Sequence, residues 1–257
     1  EKYDVGLTLT QHFGLSYREP NLKHWIELQS ARHKAKKVKK IGLITKYVGF
    51  NDAYFSVLES IRAAAWSVGV KAEIVGIDAQ QIVDKGTDVL KELDAIVVPG
   101  GYGQRGTEGK ILAAQYAREN KIPYLGLCLG MQMMVIEAAR NLLHLDQATS
   151  EEFNPESKDL VIHLMASQKY ITDKGGTNRL GLYDCKLTAK TKTAAAYGLK
   201  EVKERHRHRY EFNNDYRQRL EKAGMVIAGI NPELDLVEIV EIKDHPFMVG
   251  VQFHPEF

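Results

Sequence analysis

Gly126-Leu127-Cys128-Leu129-Gly130-Met131-Gln132 decides the fold of this chain. The apolar run Ile122-Pro123-Tyr124-Leu125-Gly126-Leu127 leads into it, and a helical pattern over 131–140 leads out. A strand, a tight turn carrying a thiol and a helix are predicted in succession. Gly-x-Cys-x-Gly is the sulfur counterpart of the nucleophile elbow Gly-x-Ser-x-Gly. The glycines let the strand and helix backbones approach, and the turn holds Cys128 in a strained, exposed position at a helix N-terminus. There the positive end of the helix dipole favours a thiolate. Such a thiolate needs a base and an oxyanion hole.

Both have candidates. Met248 to Phe253 reads as a buried strand, and His254-Pro255-Glu256 follows at its C-terminal end, where open α/β sheets place their sites. A His held by a carboxylate serves a thiol as general base, with Glu256 fixing tautomer and ring angle. Ala95-Ile96-Val97-Val98 reads as another buried strand, and it ends in Pro99-Gly100-Gly101-Tyr102-Gly103. Glycines at that place let backbone N–H groups point into a cavity, as an oxyanion hole requires. Each piece alone has a bland reading: a packed core thiol, a surface turn, a simple Gly-Gly turn. Three such pieces, each at a strand's C-terminal end, are hard to obtain by accident.

These motifs resemble those of the class I (triad) glutamine amidotransferases. The resemblance rests on Pro99-Gly100-Gly101, on the stretch from Gly126 to Gln132, and on Gln252-Phe253-His254-Pro255-Glu256. A closer likeness is to the amidotransferase domains of the CTP synthase family, and it covers nearly the whole chain. It is carried by Gly100-Gly101-Tyr102-Gly103-Gln104-Arg105-Gly106, by the run from Arg118 to Gly126, and above all by Glu204-Arg205-His206-Arg207-His208-Arg209-Tyr210-Glu211. Gln11-His12-Phe13-Gly14-Leu15 and Asn51-Asp52-Ala53-Tyr54 look like that family's linker and first strand-to-helix turn.

Composition sets wider limits. The chain has 257 residues, 44% hydrophobic and 26% charged, which suits a soluble α/β domain able to bury one large core. A net charge of +2 gives no electrostatic case for nucleic acid or membrane as partner. No apolar run is long enough to span a bilayer, and no secretory segment is visible. Cys128 and Cys185 are the only cysteines; a working thiol and no disulfide framework point to a reducing, cytoplasmic setting. No zinc spacing and no P-loop occurs. Cys185, in Tyr183-Asp184-Cys185-Lys186-Leu187, has no base nearby in sequence and reads as a packing residue.

Strands at Ile41–Ile44, Ala72–Ile77, Ala95–Val98 and the elbow alternate with helices near 53–68, 86–93 and 110–119. An α/β fold with a mainly parallel central sheet flanked by helices is therefore expected. After Arg140 the pattern shifts to shorter strands at 161–166, 181–187, 207–212, 225–230 and 237–242, with a turn at Lys174-Gly175-Gly176-Thr177. This is an added antiparallel region on a flavodoxin-like core. Residues 1–37 show little periodicity beyond a short helix within 19–28 and read as an interdomain linker; residues 38–257 are the expected amidotransferase domain. The basic run from Arg32 to Lys40 reads as solvated linker rather than a nuclear signal.

The resemblance implies the roles. Cys128 attacks the side-chain amide of L-glutamine and forms a γ-glutamyl thioester, His254 moves the protons, and Glu256 orients His254. Backbone N–H groups of Gly101 and Leu129 form the oxyanion hole. Gly100, Gly101, Tyr102, Leu129 and Gln132 line the substrate, Glu152 meets its α-ammonium, and Arg209 with Tyr210 meets its α-carboxylate. No metal or cofactor is expected in this domain. ATP and Mg belong to an N-terminal synthetase domain of the same polypeptide, absent from this chain, which aminates UTP. The family is activated by GTP, inhibited by CTP, and forms homo-oligomers, tetramers by resemblance. Tyr102 and the glycine loop are candidates for the GTP contact. Met165-Ala166-Ser167-Gln168 departs from the acidic stretch expected there. Alternatives are another triad amidotransferase, a stand-alone γ-glutamyl hydrolase, or a non-catalytic regulatory module.

Overall fold

The computed structural model describes residues 4–46, 51–165 and 178–257. Two helices come first, α1 (Val5–His12) and α2 (Lys23–Lys34), and neither buries a residue. Then follow β1 (Lys37–Thr45), α3 (Phe55–Ser67), β2 (Val70–Asp78), α4 (Ala79–Lys85), β3 (Ala95–Val98), α5 (Thr107–Asn120), β4 (Tyr124–Leu127) and α6 (Leu129–Leu142). The second half holds β5 (Thr149–Ser150), β6 (Leu160–Leu164), β7 (Arg179–Leu187), α7 (Lys192–Tyr197), β8 (Glu201–His208), β9 (Tyr210–Phe212), α8 (Arg217–Lys222), β10 (Met225–Asn231), β11 (Leu236–Ile242) and β12 (Met248–Val251).

The main sheet runs β2-β1-β3-β4-β12-β11-β10-β7-β8. From β2 to β12 every neighbouring pair is parallel; from β12 to β8 every pair is antiparallel. The short parallel strands read as unbroken apolar runs because both faces are covered. Alternate side chains go to opposite cores: Ile96, Val98, Tyr124 and Met248 to one, Val97, Leu127, Val249 and Val251 to the other. Helices α5 and α6 cover the first face, and Val57 of α3 packs into the second. No helix among the described residues is long and apolar enough to cross a membrane.

The glycines of the elbow are needed for space. A Cβ on Gly130 would sit 2.1 Å from the Val98 carbonyl oxygen, and one on Gly126 would sit 2.5 Å from the Gly130 carbonyl carbon. The Tyr124 hydroxyl donates to the Gly130 carbonyl at 2.8 Å and pins the first turn of α6 to β4. Residues 129 to 139 are all buried, the polar Gln132 and Glu137 among them, so α6 runs through the core rather than along its surface.

Several expectations are corrected. The helix expected over 86–93 is only a 3-10 turn over Thr87–Leu90; the α-helix here is α4, which lies before it, was not expected, and is capped by the Asp78 carboxylate accepting from the Gln80 N–H. Gly86, at φ 79°, ends α4 and separates the two. The strand expected over 207–212 begins at Glu201 and breaks at Arg209, where the chain leaves the main sheet for a second sheet, β5-β6-β9. The basic run is structured: its first part closes α2 and its second opens β1, where Lys39 pairs with Asp94 and Lys40 with Glu92 at 2.8 Å. The first strand-to-helix turn contains a 3-10 turn over Asn51–Tyr54. The turn at 174–177 and residues 166–168 of the divergent stretch lie outside the described residues.

Candidate active site

Cys128 sits between β4 and α6 with φ 50° and ψ −101°, a strained conformation for a residue with a Cβ. The surrounding sheet enforces it: the Cys128 N–H donates to the Val251 carbonyl of β12 at 2.7 Å. The thiol is not exposed as expected. Cys128 is only 3% accessible, because the glycine loop, His254 and Gln252 close over it.

Three residues past β12, His254 is fixed by its backbone N–H on the Arg205 carbonyl, 2.8 Å away. Its Nδ1 lies 2.8 Å from the Glu256 carboxylate, which leaves Nε2 as the ring nitrogen for the Cys128 sulfur. Burial pulls the His254 pKa down, but the hydrogen bonds and charges of Cys128 and Glu256 outweigh it and raise it to about 10. Imidazolium beside sulfur is thus a favoured state of the site. Pro99, Gly100, Gly101 and Tyr102 line the same cavity as Cys128, His254 and Glu256. Neither the Gly101 nor the Leu129 backbone N–H donates a hydrogen bond among the described residues. Gly101 lines the cavity of the thiol, whereas Leu129, next to Cys128 in the chain, is not among the residues that line it.

Two buried lysines lie behind this loop. Lys46 donates to the Tyr102 carbonyl and, at 3.0 Å, to that of Gly103; Lys110 donates to the Pro99 carbonyl at 3.4 Å. With those carbonyls turned back, the Gly103 N–H turns the other way and meets Glu152 Oε1 at 2.7 Å. Lys110 is wholly buried and pairs with no carboxylate among the described residues. Burial, then the Lys46 charge, lower its pKa to about 7, against the opposing pull of Cys128. Its ordinary value is 10.5, so between about 7 and 10.5 the unfolded chain binds more protons and stability rises with pH through that window. Lys110→Met is expected to raise the urea midpoint at pH 7, with the gain fading toward pH 10. A gain that grows with pH would overturn this.

A second cavity adjoins the first, lined by Tyr102, Gly103, Glu152, Asn178, Arg209 and Tyr210. Glu152 and Arg209 bring opposite charges to it. The neighbouring Glu151 is engaged elsewhere, since its carboxylate accepts from the Leu164 N–H at 2.7 Å on β6. The arginine string follows period 2 along β8: His206 and His208 point inward, Arg205 and Arg207 outward. Arg209, the next residue of the same parity, is half-buried at the β8–β9 junction and lines this cavity, while Arg207 lines the one beside Cys128. Gln132 lines neither cavity; it is 3% accessible and donates to the Tyr210 carbonyl at 3.0 Å.

Tyr102 bridges the cleft. Its hydroxyl donates to the Arg207 carbonyl at 2.6 Å and accepts from Asn178 at 3.1 Å, and its ring lines both cavities. Lys46, Lys110 and Gln252 were missed from sequence. Lysines on a strand end and a helix read as surface, but the extended spacing of Gln252 and His254 could have placed both toward Cys128. His206, His208 and Glu238 have ligand atoms within 4.8 Å of one another. Arg179 occupies that space instead, 2.6 Å from Glu238 and 3.4 Å from His206, so a metal ion would meet a guanidinium.

A family model for glutamine amidotransferase class-I matches residues 50–257. A CTP synthase of Roseiflexus castenholzii is 52% identical over all of this chain and 47% of its own length; one of Bacillus pumilus is 46% identical over all of this chain and 48% of its own. The chain spans about half the length of the curated relatives it matches. Among solved structures, the Trypanosoma brucei CTPS glutaminase domain with bound acivicin is 38% identical, with a TM-score of 0.79 over 85% of this chain and 86% of that one. A Thermotoga maritima glutamine amidotransferase, 14% identical with a TM-score of 0.51 over 85% of this chain and 76% of that one, shares the fold.

Proposed function

Because the chain belongs to the class I glutamine amidotransferases, among the glutaminase domains of CTP synthases, we propose that Cys128, His254 and Glu256 hydrolyse L-glutamine here. The ammonia would serve the ATP- and Mg-dependent amination of UTP to CTP in a synthetase domain outside this chain, under activation by GTP. The observation that carries the reading is the buried Cys128–His254–Glu256 constellation, with a Nδ1 to carboxylate contact of 2.8 Å.

Cys128 Sγ attacks the γ-amide carbon as His254 holds the thiol proton. The carbonyl oxygen becomes an oxyanion facing the Gly101 and Leu129 N–H groups; one such donor is worth about 2.7–4 kcal/mol. His254 passes its proton to the nitrogen, the C–N bond breaks, and ammonia leaves a γ-glutamyl thioester. Water then gives a proton to His254 and attacks the same carbon. The C–S bond breaks and glutamate departs.

Glutamate release by this chain, alone and with an added synthetase domain, UTP, ATP, Mg and GTP, tests the reading. Release raised by the partner supports it. CTP formed by the chain alone, or hydrolysis equally fast for γ-glutamyl peptides, would overturn it. Glu152 and Arg209 hold the two charged ends of the substrate in this reading. Glu152→Gln and Arg209→Ala are each expected to raise KM about tenfold to a hundredfold, the worth of a charge-assisted hydrogen bond. Unchanged KM in both would place the α-amino acid end elsewhere.

A further inference from the structure

We infer, on the reading of Cys128 as the nucleophile, that Gln252 is a further catalytic residue: a fixed neutral donor that holds the Cys128 sulfur as an anion. Gln252 Nε2 lies 3.7 Å from Cys128 Sγ, within hydrogen-bond reach of sulfur, and the residue is 1% accessible.

The orientation of its amide follows from a chain of buried contacts. The Tyr210 carbonyl can only accept, and it takes hydrogen bonds from Gln132 Nε2 at 3.0 Å and His208 Nδ1 at 3.0 Å. Gln132 must therefore present its NH2 group at that end. The same NH2 meets Gln252 Oε1 at 3.3 Å, so Gln252 accepts there. Its own NH2 is left facing the sulfur. Rotating the Gln252 amide by half a turn would set NH2 against NH2 and oxygen against sulfur, two repulsive contacts in place of two attractive ones. The backbone of Gln252 is fixed as well, by its N–H on the Glu238 carbonyl at 2.8 Å.

Such a donor differs from His254. The imidazole must give its proton to departing ammonia and take one from water. Gln252 carries no proton that moves, so it stays a donor through the cycle. When the thioester is hydrolysed, the C–S bond breaks and its electron pair goes to Sγ. Gln252 Nε2–H then meets the developing charge, and His254, keeping the proton it took from water, completes the ion pair.

The test uses iodoacetamide, which needs no glutamine site, with the adduct located by peptide mapping. At neutral pH, Gln252→Met is expected to label at Cys128 roughly tenfold more slowly than wild type, the low end for a hydrogen bond to a charged group. Gln252→Glu, which turns an oxygen to the sulfur, should be slower still. In both, the labelling profile moves to higher pH. Glutamine hydrolysis should lose kcat with KM changed less than about twofold. Gln132→Met, which frees the Gln252 amide to rotate, should slow labelling in the same direction and keeps the test available if Gln252→Met does not fold. Wild-type labelling in a folded Gln252→Met, or Gln252→Glu labelling faster than Gln252→Met, would overturn the inference. So would equal losses of melting temperature with an unmoved pH profile. If wild-type Cys128 takes iodoacetamide but resists a γ-electrophilic glutamine analogue, the glutaminase reading fails while the role of Gln252 stands.

Discussion

Cys128→Ala is expected to lower glutamine hydrolysis on the order of 10⁵-fold, since no other group can form the thioester and residues that act as a unit fail together. The same substitution should abolish the mass increase given by a γ-electrophilic glutamine analogue, and Cys185→Ala should leave it intact. The two thiols differ in surroundings. Cys185 is wholly buried in the antiparallel half of the sheet, where burial first, then the charges of Glu238 and Glu204, push its pKa far up. Cys128 has an imidazole, an amide donor and a cavity beside it. An adduct mapped to Cys185, or hydrolysis surviving in Cys128→Ala, would remove Cys128 from the mechanism.

The second large effect is expected at Glu256. Glu256→Gln keeps the shape but removes the charge that Nδ1 of His254 faces, and its amide NH2 can turn the imidazole to the wrong tautomer. Loss of an orienting carboxylate of this kind costs about 10⁴ in kcat in a Ser–His–Asp enzyme, and roughly 10² to 10⁴ is expected here. The sign of the pH effect follows. His254 is raised to about 10 because hydrogen bonds to Cys128 and Glu256 overcome its burial. Removing one of those anions lowers that value, so the alkaline limb of the activity profile moves to lower pH. An unmoved alkaline limb with near-normal kcat would show that Glu256 does not govern the histidine.

The elbow and the His-Pro-Glu end were legible because each is local: two glycines at fixed spacing, an apolar run, and a motif just beyond a strand. The parallel half of the sheet was legible for the same reason, since β3, β4 and β12 are short apolar runs with turn residues after them. What stayed hidden depended on contacts across the fold. Nothing local tells that β8 and β9 belong to different sheets, with Arg209 at the junction between them facing the charged cavity. Lys110 reads as a surface lysine within a small-residue helix; only the loop above it makes it a buried cation. Gln132 has helical spacing that suits the substrate cavity, yet the Tyr210 carbonyl takes its amide. The burial of Cys128 was missed because the residues that cover it come from two distant segments.

The Tyr102 bridge from the glycine loop to the Arg207 carbonyl divides the cleft into a charged compartment and a sulfur compartment. On the proposed reading, one amino acid must occupy both at once, its head between Glu152 and Arg209 and its tail passing beneath the ring to Cys128. The partition then acts as a ruler. Asparagine is one methylene too short: seated by its head it stops before the sulfur, and pushed to the sulfur it leaves both charges unpaired. Selectivity for chain length would thus reside in the spacing between two fixed compartments rather than in any group that touches the amide.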